Sequence, residues 1–112
     1  MLSVSALKPS PYQGFYAATK AALHALTSVM AAEWAAMGIR VNALAPGSFH
    51  SDMFDNSAKV LPGFMDGSIA KTLQKRVAET DEIIGSVMYL ASDMSSYTTG
   101  STLVTDGGYL VL

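Results

Sequence analysis

The succession of residues between Tyr12 and Gly47 constrains the fold most. Residues 12–37 are rich in alanine, the strongest helix former, and Leu23, Leu26, Met30 and Trp34 recur at helical spacing to make one apolar face. Ala18, Ala22 and Ala25 fall on another side, small enough to let a neighbouring helix approach closely, although helix propensity alone also accounts for them. Gly38 supplies a stop. Residues 39–45 are a short apolar run suited to a strand buried in a parallel sheet, and Pro46-Gly47 ends it. Helix, tight turn, strand and loop in that order belong to the α/β class.

The flanking segments extend this pattern. Residues 1–7 are apolar with alternating serines and read as the end of a strand, which Lys8-Pro9-Ser10-Pro11 interrupts. Residues 48–67 mix Gly, Pro, Asp, Asn and Ser with Phe49, Phe54, Leu61, Phe64 and Met65, the composition of a flexible flap with an apolar underside. A short helix is expected over residues 68–76. A further helix is expected from Thr80, its cap, through a first turn made acidic by Asp81 and Glu82, to about Asp93. Ile83, Val87, Leu90 and Ala91 would form its buried stripe. Residues 95–100 read as a loop, residues 101–105 as a final strand, and Asp106-Gly107-Gly108 as a turn. The expected total is about three strands and two to three helices in one domain of 112 residues.

Composition removes several function classes. Seven basic residues are scattered and the net charge is −2, so the electrostatic footprint of nucleic-acid binding is missing. Lys20, His24, Thr27, Ser28 and Glu33 interrupt the most apolar stretch, so no bilayer span is expected. The opening Met1-Leu2-Ser3-Val4-Ser5 lacks the basic and long apolar regions of an export signal, which makes a cytoplasmic location the expectation. Cysteine is absent, and His24 and His50 have no ligand at a recognised spacing, so no metal site is expected.

Tyr16 and Lys20 lie four residues apart near the start of the long helix, so both project from one face about a turn apart. An ammonium beside a phenol favours the phenolate: at ~5 Å and an effective dielectric of ~20, Coulomb's law gives roughly 3 kcal/mol. Such a tyrosine suits general acid or base work. Ser3 precedes it by thirteen residues, at the end of a strand leading into the helix, where its hydroxyl could meet the phenol.

Ser3, Tyr16-Ala17-Ala18-Thr19-Lys20, the run from Gly38 to Gly47, and Asp106-Gly107-Gly108 together resemble the short-chain dehydrogenase/reductase family in order and spacing, over nearly the whole chain. The resemblance implies the C-terminal part of a Rossmann-like doubly wound parallel sheet. It implies hydride transfer between NAD or NADP and an alcohol or carbonyl substrate, with Tyr16 as acid or base, Ser3 holding the substrate oxygen and Lys20 bonding the nicotinamide ribose. By position Pro46, Gly47, Phe49 and Ser51 would meet the nicotinamide end of the cofactor, Ser51 standing where the family usually has threonine. Phe54, Leu61, Phe64 and Met65 would belong to the substrate loop. Asn42 is expected to satisfy backbone groups of adjacent loops and Asp106 to serve its turn, neither taking part in catalysis.

The glycine-rich strand-turn-helix that cradles a pyrophosphate, the residue that selects NAD or NADP, and the family's catalytic asparagine have no counterpart in these 112 residues. Residues 1–112 are therefore expected to be a partial domain, the catalytic and substrate-loop half. The resemblance also implies homo-oligomers formed through the helices at 12–37 and 80–93. The alternative from another class is a catalytically inactive fragment acting as an interaction module.

Overall fold

A computed structural model describes all residues, 1–112. The chain begins with a single turn of 3-10 helix at Val4–Ala6, then runs through helix α1 (Gly14–Trp34), strand β1 (Ala43–Pro46), helices α2 (Asp52–Val60), α3 (Phe64–Ala70) and α4 (Ile84–Ala91), and strand β2 (Thr102–Thr105). β1 and β2 pair in parallel with Ala43 opposite Thr102 and Pro46 opposite Thr105. Parallel strands need a crossover, and α2, α3 and α4 supply it.

The expected α/β class holds, with two strands rather than about three. Residues 1–3 form no strand; only the Leu2 N–H reaches across, donating to the Leu44 carbonyl at 2.7 Å. One hydrogen bond does not make a ladder, because Ser3 at once accepts the Ser5 N–H and turns the chain into the 3-10 helix. Leu2 nevertheless packs with Ala43 and Ala45 in the core cluster. Ala43, Leu44 and Ala45 are all buried, so β1 is covered on both faces, as parallel strands usually are.

α1 ends as Gly38 requires. After a 3-10 turn at Ala35–Met37, Gly38 adopts φ +74° and donates to the Ala35 carbonyl, while the Ile39 N–H reaches back to Trp34. This is a Schellman closure, a conformation glycine adopts without steric cost.

The inward face of α1 is the expected one only in part. Of the expected stripe, Met30 and Trp34 are half-buried and Leu23 and Leu26 exposed. Ala17 and Ala31 are buried and Lys20, His24 and Thr27 half-buried, which with Trp34 makes a line of positions three and four apart. Ala18, Ala22 and Ala25 are exposed. The stripe expected around α4 is likewise met in part: Ile83, just before the helix, and Leu90 are half-buried, whereas Val87 and Ala91 are exposed and Ser86 and Tyr89 face inward instead. With a radius of gyration of 15.2 Å, against about 13 Å for a compact chain of this length, the molecule is extended and leaves these apolar faces uncovered.

Four further expectations are corrected. Within residues 48–67 most of the segment is helical, α2 and the start of α3, because the Ser51 hydroxyl accepts the Phe54 N–H and starts α2, with Asp52 and Asp55 in its first turn. The short helix expected at 68–76 lies earlier, as α3. Thr80 is not a cap: its hydroxyl donates to the His50 carbonyl, and the cap is Glu79, whose N–H is accepted by the Glu82 carboxylate at 2.7 Å. Beyond α4 no further α-helix reaches Asp93; a 3-10 turn occupies Asp93–Ser95.

Arg40 closes the C-terminal end of α4. Its guanidinium donates to the carbonyls of Leu90, Ser92 and Thr98 and to the buried Ser95 hydroxyl, at 2.8 to 3.2 Å. These are groups a helix end leaves unsatisfied. Asn42 bridges loops as expected, donating to Thr98 O and accepting from Ser101 N. Asp106 accepts from Gly108 N and Leu110 N, also as expected. No helix is long and apolar enough to cross a membrane.

Two predictions follow from this packing. A Cβ on Gly47 would lie 2.8 Å from the Asp106 Cα, where backbone must move, so Gly47→Ala should lower stability by about 1–3 kcal/mol in urea titrations with an unchanged slope. The second concerns Glu82, whose carboxyl the Arg76 guanidinium and the Glu79 N–H hold down to about 2. The unfolded chain binds that proton more readily, so this contribution is complete above pH 4.5 and is lost as pH falls through about 2. Glu82→Gln should flatten the acid limb of stability against pH; identical limbs in the two proteins would refute it.

Candidate active site

Ser3, Tyr16 and Gly47 line one open cleft of about 700 Å³. Three elements meet there: the turn after Leu2 brings Ser3, the first turn of α1 brings Tyr16, and the end of β1 brings Gly47. Gly47 is fixed by its N–H, which donates to the Thr105 carbonyl, and by close contact with Asp106. Tyr16 is 40 % exposed, so its ring is open to a ligand.

Lys20 stands beside Tyr16 rather than in the cleft wall. Its ammonium lies 5.6 Å from the centre of the Tyr16 ring and donates to the Met1 carbonyl at 3.3 Å. The ammonium and phenol thus occupy one face of α1, as the four-residue spacing requires. Ser3 and Tyr16 make no direct hydrogen bond. The Ser3 oxygen accepts the Ser5 N–H and its proton remains free to donate.

The residues expected at the cofactor divide. Pro46 is the last residue of β1, opposite Thr105, and does not line the cleft. Ser51 spends one acceptor position as the cap of α2, which also fixes its rotamer without the methyl a threonine would have. Phe49 forms a parallel bridge with Ala78, in which Ser48 O accepts from Ala78 N and His50 N donates to Ala78 O. In that geometry the N–H and C=O of Phe49 itself point away from Ala78, and neither has a partner within the chain. A donor and an acceptor side by side on extended backbone match a primary carboxamide, so the residues present fit the nicotinamide end of a dinucleotide. Phe49 also borders a smaller hollow of about 150 Å³, with Arg76 and Glu82 paired across it at 2.6 Å.

One side of the cleft is built by α2 and α3. Phe54, Leu61 and Phe64 line it, as expected of the substrate loop, together with Met53, while Met65 does not. Phe54 and Phe64 stack obliquely with ring centres 5.1 Å apart. Beside Phe54, the His50 Nδ1–H donates to the Asp55 carboxylate at 2.8 Å, and this hydrogen bond raises the imidazole pKa. Among the lining residues that the sequence does not single out are Tyr12, Lys71 and Tyr109. Tyr12 stands at φ +67° before α1, Lys71 follows α3, and Tyr109 reaches the cleft from the far end of the chain, its hydroxyl 3.1 Å from that of Ser10. Only Tyr12 carried a signal, its place next to Pro11.

Comparison with known proteins gives the same reading. The family model described as Enoyl-(Acyl carrier protein) reductase matches residues 1–110. A galactitol 2-dehydrogenase (L-tagatose-forming) of Cereibacter sphaeroides is 43 % identical over 96 residues, covering 86 % of this chain and 37 % of that protein. A gluconate 5-dehydrogenase from Burkholderia cenocepacia, solved with NADP and tartrate, superposes with a TM-score of 0.93 at 36 % identity, covering 99 % of this chain and 43 % of the other. A 4-hydroxyisoleucine dehydrogenase mutant, complexed with NADH and succinate, gives a TM-score of 0.91 at 31 % identity over 99 % of this chain and 45 % of that one. The chain spans less than half the length of each of these relatives. With a tyrosine and lysine one helical turn apart, a serine and glycine facing them, and a family match over nearly its whole length, the chain belongs to the short-chain dehydrogenase/reductase family.

Proposed function

We propose that this chain carries the catalytic and substrate-binding half of an oxidoreductase that transfers hydride between NAD or NADP and a small alcohol or carbonyl compound. The observation that carries the reading is the convergence of Ser3 and Tyr16 on one cleft, with the Lys20 ammonium behind the Tyr16 ring. When bound, the nicotinamide supplies or accepts the hydride. Residues of this chain handle the proton and hold the substrate oxygen.

Tyr16 stands where a proton must pass to or from the substrate oxygen. Ser3 donates its free hydroxyl proton to that oxygen, which fixes the carbon beside it. Lys20 keeps its ammonium 5.6 Å from the centre of the Tyr16 ring and bonds the ribose hydroxyls. Phe49 offers its unpaired N–H and C=O to the carboxamide, with Pro46 and Gly47 shaping the backbone on the way and Ser51 retaining an O–H to donate. The relatives include dehydrogenases solved with NADP and with NADH, which supports a nicotinamide cofactor of either kind. The activities of these relatives favour an enzyme over an interaction module. The same reading includes a cytoplasmic setting and homo-oligomers formed through α1 and α4, supported by the exposure of Leu23, Leu26, Val29, Ile84, Val87 and Met88.

The first test is titration of the folded chain with NADH and with NADPH, followed by nicotinamide fluorescence; saturable binding is expected. Lys20→Ala should weaken it about tenfold or more, the worth of one charge-assisted hydrogen bond. In the protein that turns over an alcohol or carbonyl substrate, Tyr16→Phe should lower turnover roughly 10²- to 10⁴-fold while leaving nicotinamide affinity within about twofold. Undiminished turnover in that variant would remove Tyr16 from the chemistry.

A further inference from the structure

The cleft has 22 lining residues, and Lys71 is the one among them that carries a full charge at neutral pH. It follows the last turn of α3, is exposed, and its ammonium makes neither an ion pair nor a hydrogen bond within the chain. Lys8 bonds the Tyr109 and Leu112 carbonyls, Lys20 the Met1 carbonyl and Lys75 the Ala70 carbonyl, and Lys59, in the last turn of α2, does not line the cleft.

The rest of the wall built by α2 and α3 offers little polarity. Met53, Phe54, Leu61 and Phe64 present apolar surface. The two serines there have spent their protons inside their own helices, Ser57 on the Met53 carbonyl and Ser68 on the Phe64 carbonyl. Across the cleft the Ser5 hydroxyl is given to Gln13, and Ser10 is bonded to Tyr109. An apolar surface with a single unspent cation suits a molecule with a short hydrocarbon stem and one anionic end.

We infer that Lys71 is a specificity-determining residue of the cleft, selecting substrates that carry a carboxylate joined by an apolar stem to the reacting alcohol or carbonyl. The inference rests on the cleft being the substrate site and names the class of molecule that enters it. A carboxylate loses hydration on binding and recovers it only where a donor is free, and an amide of the same shape gains less from a positive charge because it carries none of its own. The Lys71 ammonium is exposed, so the preference is screened by salt.

The probes are hexanoate and hexanamide, titrated separately into the ¹⁵N-labelled chain of 112 residues and followed through amide shifts around the cleft, such as those of Tyr16, Phe64, Ser68 and Lys71. Hexanoate should bind roughly threefold to fivefold more tightly than hexanamide at low ionic strength, with the difference shrinking at 1 M salt. Lys71→Met should abolish the preference while leaving hexanamide affinity unchanged, and Lys71→Arg should restore it. Equal affinity for the two probes in the unaltered chain, with shifts confined to the cleft, would overturn the role of Lys71 and leave the cleft as the substrate site. Shifts from neither probe in the cleft would overturn both, and a preference that survives in Lys71→Met would assign the charge to another residue.

Discussion

The parallel pairing of β1 with β2 is the interaction on which the rest of this molecule depends. It fixes Gly47 against Asp106 at the end of the ladder, at a distance that leaves no room for a side chain. From that point the chain leaves the sheet toward Phe49, so the unpaired backbone groups proposed for the nicotinamide inherit their position from the register of four residue pairs. At the opposite end of β1, Asn42 ties the strand entry to the loop before β2, and Arg40 ties it to the end of α4. The Leu2 N–H adds the third fixed point. It bonds Leu44 and so sets Ser3 beside the same strand end that carries Gly47.

Much of this was legible in the sequence wherever a local rule sufficed. The Schellman closure at Gly38, the strands near 39–45 and 101–105, the loop-bridging role of Asn42 and the turn at Asp106 each follow from residue type and immediate neighbours. Ser3, Tyr16 and Gly47 line one cleft, although Ser3 and Tyr16 make no direct hydrogen bond. The failures have a common cause. Leu23 and Leu26 belong to an apolar stripe on α1, yet the line that faces inward contains Ala17, Lys20, His24 and Ala31. Periodicity identifies the stripe but not which side of a helix meets the rest of this chain.

The segment 48–67 illustrates a second limit. Its Gly, Pro, Asp and Asn content reads as irregular, but one serine cap and two acidic residues in the first turn suffice to start α2, and Phe54 and Phe64 then hold α2 and α3 together. Propensity summed over a window gives way to one well-placed cap and one aromatic contact. Lys71 and Tyr109 could not be assigned to the cleft from sequence at all. Each acquires its place through contacts distant along the chain, and neither stands in a motif.

Tyr109 carries a consequence for how the cleft comes into being. Its contact with Ser10 spans 99 positions, and the Lys8 bond to Leu112 spans 104, nearly the whole chain. Contacts of such separation close late in folding, because the entropy of the intervening loop is lost before they form. On a ribosome, where residues emerge in order, α1 can form while the cleft still lacks one wall. The wall that Tyr109 supplies is therefore added only once residues 99 positions beyond Ser10 have emerged, and a nascent chain that stops short of Tyr109 lacks the assembled cleft.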